Sequence, residues 1–159
     1  MRSEESMNYK TLGAAALALC AAVGAWGAGA GRATAPEAEA MVKKGVAQIR
    51  ANREKAFADI SNPKGPFVDR DLYLVVYRTD GVNMAHGFNQ KMIGKAFMDI
   101  RDIDGKEYMR ERMEIAKTKS AFWQDLKFVD PLTKKIEPKQ VYCERATEDL
   151  LVCGGVYKL

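Results

Sequence analysis

The chain has 159 residues, 47% of them hydrophobic, with Lys+Arg 25 against Asp+Glu 21, one His and three Cys. That length is room for one ordinary domain with enough buried surface to fold unaided. The formal charge of +4 is scattered, Lys43-Lys44 and Lys134-Lys135 being the densest pairs, so no cationic stripe for nucleic acid can be drawn, and soft ligands are too few for most structural zinc sites.

The first thirty residues stand apart. Met1–Lys10 is polar and carries Arg2 and Lys10, Leu12–Val23 is almost purely apolar, and a small-residue tract Gly27–Gly31 follows. A basic end, an apolar run and an Ala-x-Ala site at Ala28 and Ala30 predict a secretory signal peptide over residues 1–30, cut after Ala30. Cutting after Ala35 would put Pro36 next to the scissile bond. An uncleaved membrane anchor is the competing reading, but the run is shorter than the ~20 residues of a spanning helix. A lipid-attached Cys20 is disfavoured by bulky Leu19 and by the shortness of the run before it. The expected location is therefore periplasmic or secreted, or membrane-anchored if the leader is retained. Cys143 and Cys153 are then the only thiols of the mature chain, an even pair that suits a compartment where disulfides persist.

Residues 31–159 read as one domain. Thr34-x-x-Glu37 is a capping box with Pro36 tolerated in the first turn, and apolar residues from Met41 to Ile60 recur at helical spacings. The predicted helix ends near Ile60, where Ser61–Pro66 is turn chemistry throughout. Leu72–Arg78 is β-branched and aromatic, Asp80-Gly81 is a hairpin signal, and Val82–Phe88 leads away again. A short helical stretch is expected around Lys91–Phe97, and Asp102–Gly105 turns. Lys106–Lys119 is a second amphipathic helix whose stripe is Tyr108/Met109, Arg112/Met113 and Ala116, its apolar members read as core. Ala121–Val129, Ile136–Arg145 and Leu150–Tyr157 close the chain as three strands. Helices gathered beside an antiparallel sheet make an α+β domain.

Asp71-Leu72-Tyr73, Asp80-Gly81, Ala85-His86-Gly87 and Ile93-Gly94-Lys95 come in an ordered set. Asp99-x-x-Asp102-x-Asp104-Gly105-Lys106, Glu137-Pro138-Lys139-x-x-Tyr142 and Cys153-Gly154-Gly155-Val156-Tyr157 continue it. The set resembles single Cache domains of the sCache_2 type, the extracytoplasmic sensor modules of chemoreceptors and histidine kinases, over roughly Glu37 to Lys158. The resemblance implies a PAS-like fold, with a long N-terminal helix packed beside a five- to six-stranded antiparallel sheet. It also implies a pocket between the sheet and its helical crossover for a small organic anion, such as acetate, propionate, pyruvate or lactate. Such domains usually continue into a transmembrane helix and a signalling module. Here the expectation is a free-standing domain whose ligand is reported by a membrane receptor, a kinase or another periplasmic protein. Long N-terminal helices in similar domains pair in dimers, so a homodimer through that helix is one arrangement, and burial of its stripe on the sheet is the other.

The resemblance puts His86 near the pocket, where its ring can donate to a carboxylate, and an ordinary imidazole pKa of about 6.5 would make affinity depend on pH. Lys139 and Tyr142 lie three apart on one strand and face opposite sides of the sheet unless a bulge intervenes, which leaves two readings: an exposed Lys with a core Tyr, or one or both reaching the pocket, the Lys as counter-ion and the Tyr as hydroxyl donor. Phe122, Trp123, Tyr108 and Tyr77 could supply apolar walls or plain core, as could Phe97. Asp99, Asp102 and Asp104 imitate part of a calcium loop but lack the twelfth-position acid of an EF-hand, so no metal is expected. No cofactor fingerprint appears, and no nucleophile is set against the lone His with an orienting group, so an enzyme is not expected. With a loop at Thr147–Asp149, Cys143 and Cys153 fall opposite each other on adjacent strands, within disulfide range. The alternative to a ligand-binding sensor is a ligand-free structural or accessory subunit of a periplasmic or membrane complex.

Overall fold

The structure, a computed structural model, describes residues 31–158. The leader predicted over residues 1–30 lies outside the described residues. Helix α1 (Ala35–Ala51) begins where expected: the Glu37 carboxylate accepts from both the backbone N–H and the hydroxyl of Thr34, at 2.7 and 2.8 Å. The single long helix expected as far as Ile60 is instead two. Asn52 takes an extended conformation and its side chain accepts from the Lys55 N–H at 3.0 Å, which starts a second helix, α2 (Arg53–Ile60). Asn is a preferred N-cap, and here it outcompetes helix continuation.

Six antiparallel strands follow: β1 (Val68–Asp69), β2 (Leu72–Arg78), β3 (Asn83–His86), β4 (Ala121–Val129), β5 (Ile136–Arg145) and β6 (Leu150–Tyr157). Strands pair in the order β3-β2-β6-β5-β4, with β1 paired to the start of β2. The two-residue β1 was not foreseen, and β3 is shorter than the Val82–Phe88 run. Between β3 and β4 the chain crosses over through a 3-10 turn (Gln90–Met92) and helix α3 (Tyr108–Thr118). The helical stretch expected at Lys91–Phe97 shrinks to that one turn.

Alternation along the strands divides the sheet into two faces. Leu74, Val76, Leu150, Val152 and Tyr142 pack against Val42, Val46 and Ile49 of α1, with Ala56 and Ile60 of α2. The N-terminal helical stripe is therefore satisfied by the sheet of its own chain. At Gly45 a Cβ would lie 2.6 Å from Leu74 Cδ1, so the absence of a side chain lets α1 approach the sheet. On the other face Tyr73, Val75, Tyr77, Leu151, Val141 and Phe122 pack against Met109, Met113 and Ala116 of α3. Cys143 and Cys153 are cross-strand partners on this second face and form a disulfide, with Cα atoms 4.1 Å apart.

The N terminus of α1, the start of β2, the β4–β5 turn and the end of β6 share one pole of the sheet. Arg32 bridges two fully buried carboxylates there, Asp71 at 3.3 Å and Asp130. The Ala33 N–H donates to Asp71 at 2.7 Å, and Arg70, in the left-handed region at φ 58°, donates to the Arg32 carbonyl at 3.1 Å.

Candidate functional site

The second face of the sheet, α3 and β3 enclose a cavity of about 40 Å³. A single water needs roughly 10–15 Å³ by this measure, so the space takes about three or four water-sized groups. Tyr73, Val75 and Tyr77 reach it at every second position of β2, and His86 comes from β3, where it is the Cα partner of Val75. Leu126 and Phe128 of β4, Lys139 and Val141 of β5, and Tyr108 with Arg112, one turn apart on α3, complete most of the wall. Gly155 leaves room for the lysine: a Cβ there would sit 2.9 Å from Lys139 Cε and 2.7 Å from the Gln140 carbonyl oxygen.

Two cations are buried here. Lys139 is 6% exposed and Arg112 3%. Lys139 Nζ donates to the hydroxyls of Tyr73 and Tyr157, each at 3.1 Å, and lies 4.2 and 4.6 Å from their ring centroids. The Tyr157 hydroxyl in turn donates to the Val129 carbonyl at 2.7 Å. Burial, reinforced by the nearby Arg112 charge and opposed by Asp71 and Asp130, pushes the Lys139 ammonium down to about 7. Arg112 Nε donates to Gln124 Oε1 at 2.9 Å, and Gln124 donates onward to the Tyr108 carbonyl at 2.8 Å. The guanidinium lies 5.6 Å from the ring centroids of both Tyr77 and Tyr108. Among the described residues neither cation is in an ion pair. An uncompensated buried charge is strongly unfavourable, so the site is electrostatically incomplete as it stands and suited to an anion.

His86 supplies a neutral donor. Its Nδ1 accepts the N–H groups of Phe88 and Asn89 at 3.2 and 3.0 Å, which assigns the proton to Nε2. The ring stacks on Tyr73 with centroids 5.3 Å apart. Burial, and then the Lys139 charge, push its pKa down to about 4. The expectation of an ordinary imidazole titrating near neutrality is therefore corrected: His86 is a fixed donor at neutral pH, and Lys139 is the group that titrates there.

The sequence pattern of the family Single Cache domain 2 matches residues 27–158. The chain belongs to that family. Its Cache fold is shared by solved structures of low sequence identity. A methyl-accepting chemotaxis protein from Vibrio parahaemolyticus RIMD 2210633 has TM-score 0.65 and 20% identity, covering 77% of this chain and 86% of that one. A Cache chemosensory domain described for its carboxylic acid recognition has TM-score 0.66 and 18% identity, covering 77% and 91%. A periplasmic sensor domain of a chemotaxis protein has TM-score 0.60 and 17% identity, covering 75% and 86%. No curated protein matches the chain. Cache domains are extracytoplasmic sensory modules, and among the described residues no helix is long and apolar enough to cross a membrane.

Of the residues singled out from the sequence, the Cache cavity brings together His86, Lys139, Tyr108 and Tyr77. Tyr142 and Trp123 do not reach it. The β4–β5 ladder runs without a bulge, so the three-residue spacing from Lys139 sends Tyr142 to the opposite face, where it packs with Trp123 at 5.1 Å between centroids. Phe122 is on the cavity's face but buried in the core beside it, opposite Cys143. Phe97 packs edge-on against Tyr77 at 6.3 Å. Asp102 accepts the N–H groups of Asp104 and Lys106, Asp104 pairs with Lys127 and Asp99 with Arg110, so the three carboxylates serve turns and surface ion pairs. Arg112, Tyr73 and Tyr157 were missed. The signal for Arg112 was present: an arginine at an inward position of an otherwise apolar helical stripe.

Proposed function

We propose that this Cache domain is an exported sensory module that binds a small organic anion in the cavity between β2, β5 and α3, without catalysing a reaction. The observation that carries the reading is the pair of buried cations without carboxylate partners, joined at one cavity by the Nε2–H of His86. A carboxylate would accept charge-assisted hydrogen bonds from Lys139 and Arg112 and one from His86, replacing their lost hydration. Tyr73, Tyr77, Tyr108, Leu126 and Phe128 give its carbon chain an apolar wall. The 40 Å³ of space, room for about three or four water-sized groups, favours the smallest of the C2–C4 acids, acetate ahead of propionate, pyruvate or lactate. A ligand of about six heavy atoms has a ceiling near −9 kcal/mol, so dissociation constants no tighter than about micromolar are expected. The recognition of carboxylic acids by one structural neighbour supports the same ligand class.

Isothermal titration calorimetry of C2–C4 carboxylates against the parent, Arg112→Met and Lys139→Met tests the reading. Saturable binding by the parent, weakened in both variants, is expected. Absence of binding across the panel would leave the domain an accessory scaffold.

A further inference from the structure

The pole of the sheet that carries Arg32 holds an apolar surface that the cavity does not use. Val129 and Ile136, cross-strand partners at the turn end of the β4–β5 hairpin, are 41% and 49% exposed, and Leu132 in the turn between them is 55% exposed. Phe88, 42% exposed, adjoins the same turn, with Lys134 Nζ 5.0 Å from its ring centroid. The turn Asp130–Lys135 also carries Lys135, and its one acid is withdrawn: Asp130 is fully buried, paired to Arg32 and accepting the Leu132 and Thr133 N–H groups. What faces outward is an apolar tip with two lysines on it, Lys135 and Lys134, the latter's Nζ donating to the Pro131 carbonyl at 2.6 Å.

We propose that this tip is a membrane-contact surface, with Val129, Leu132 and Ile136 entering the headgroup layer of an anionic bilayer and Lys134 and Lys135 meeting its phosphates. The make-up of the tip chooses lipid over protein as the occupant: lysine is depleted at the core of protein–protein interfaces, whereas apolar and aromatic side chains flanked by lysines suit the membrane–water boundary. The turn offers an anionic surface two lysines and no exposed acid of its own, since Asp130 is buried against Arg32. The proposal goes beyond the ligand reading and stands independently of it.

The contacts described above lie within residues 32–157, so the chain from Gly31 retains the whole fold and separates the tip from the leader. Its cosedimentation with phosphatidylethanolamine/phosphatidylglycerol vesicles is compared with that on phosphatidylcholine vesicles. Binding only to the anionic vesicles is expected. Leu132→Asp with Ile136→Asp is expected to lower the bound-to-free ratio at least about tenfold, and Lys134→Glu with Lys135→Glu to abolish the preference for anionic lipid. Both pairs are exposed, so thermal unfolding checks that the fold is retained. Equal partitioning of parent and variants overturns the proposal. So does a parent that ignores vesicles but falls from dimer to monomer in sedimentation velocity when Leu132 and Ile136 are replaced, which assigns the tip to a second copy.

Discussion

Replacing Lys139 with methionine keeps most of the side chain's length and removes the charge, which makes its effect on stability a direct reading of the cavity's electrostatics. The ammonium falls from 10.5 to about 7 in the folded chain because burial and Arg112 both disfavour it. Between pH 7 and about 10.5 the unfolded chain therefore binds more protons than the native one, so stability rises with pH across that window. Below about pH 7 both states hold the proton, and the contribution is constant and least favourable. At 1.36 kcal/mol per unit, the displacement amounts to about 5 kcal/mol over the full window and roughly 2–3 kcal/mol between pH 7 and 9. Urea unfolding of the parent and Lys139→Met, with the disulfide intact, isolates the term above pH 7, where His86, whose pKa the Lys139 charge helps to lower, is neutral in the folded parent. The parent is expected to gain that 2–3 kcal/mol over the variant from pH 7 to 9. At low pH the variant is the more stable of the two. A difference that stays constant from pH 5 to 9 would refute a charged lysine buried in the cavity.

Anion affinity should run the opposite way with pH, falling as Lys139 loses its proton above about 7; calorimetry in buffers of differing ionisation enthalpy should also register proton uptake on binding below saturation of that group. Arg112→Met is expected to weaken binding about 10- to 100-fold, matching the 1.5–3 kcal/mol of a hydrogen bond to a charged group, while an unchanged constant would remove Arg112 from the site. Gly155→Ala drives a Cβ against the Gln140 carbonyl and Lys139 Cε, so a loss of about 1–3 kcal/mol in denaturant unfolding is expected together with weaker binding. Reducing Cys143–Cys153, ten positions apart, releases a short loop and should lower stability by about 2–3 kcal/mol.

The four strands β2, β4, β5 and β6 were legible because alternation, β-branching and turn residues all agree there, and the register that sets Cys143 against Cys153 followed from the loop between them. The break at Asn52 was not, since the apolar spacing runs through it and only the capping side chain marks the boundary. In the site, His86 and Lys139 were reached through the order of family motifs and not through local pattern. Tyr142 and Trp123 illustrate the opposite difficulty: aromatic composition says nothing about which face a residue takes, and that depends on a ladder free of bulges. Arg112 was visible as the charged member of an otherwise apolar helical stripe, but periodicity gave it an inward position and no role. Tyr73 and Tyr157, which hold the ammonium, lie 84 residues apart in sequence and become neighbours only through a sheet that places the first long strand beside the last.

The Arg32 bridge sets how far the domain can be shortened from its N-terminal side. A chain that starts at Gly31 keeps Arg32 between Asp71 and Asp130. One that starts at Pro36 would lose it, together with the Ala33 amide on Asp71 and the Thr34 partner of Glu37. Two carboxylates would then remain in the interior without their cation, a change that typically costs about 3–5 kcal/mol. Five residues thus separate a closed pole from a protein prone to unravel from its first helix.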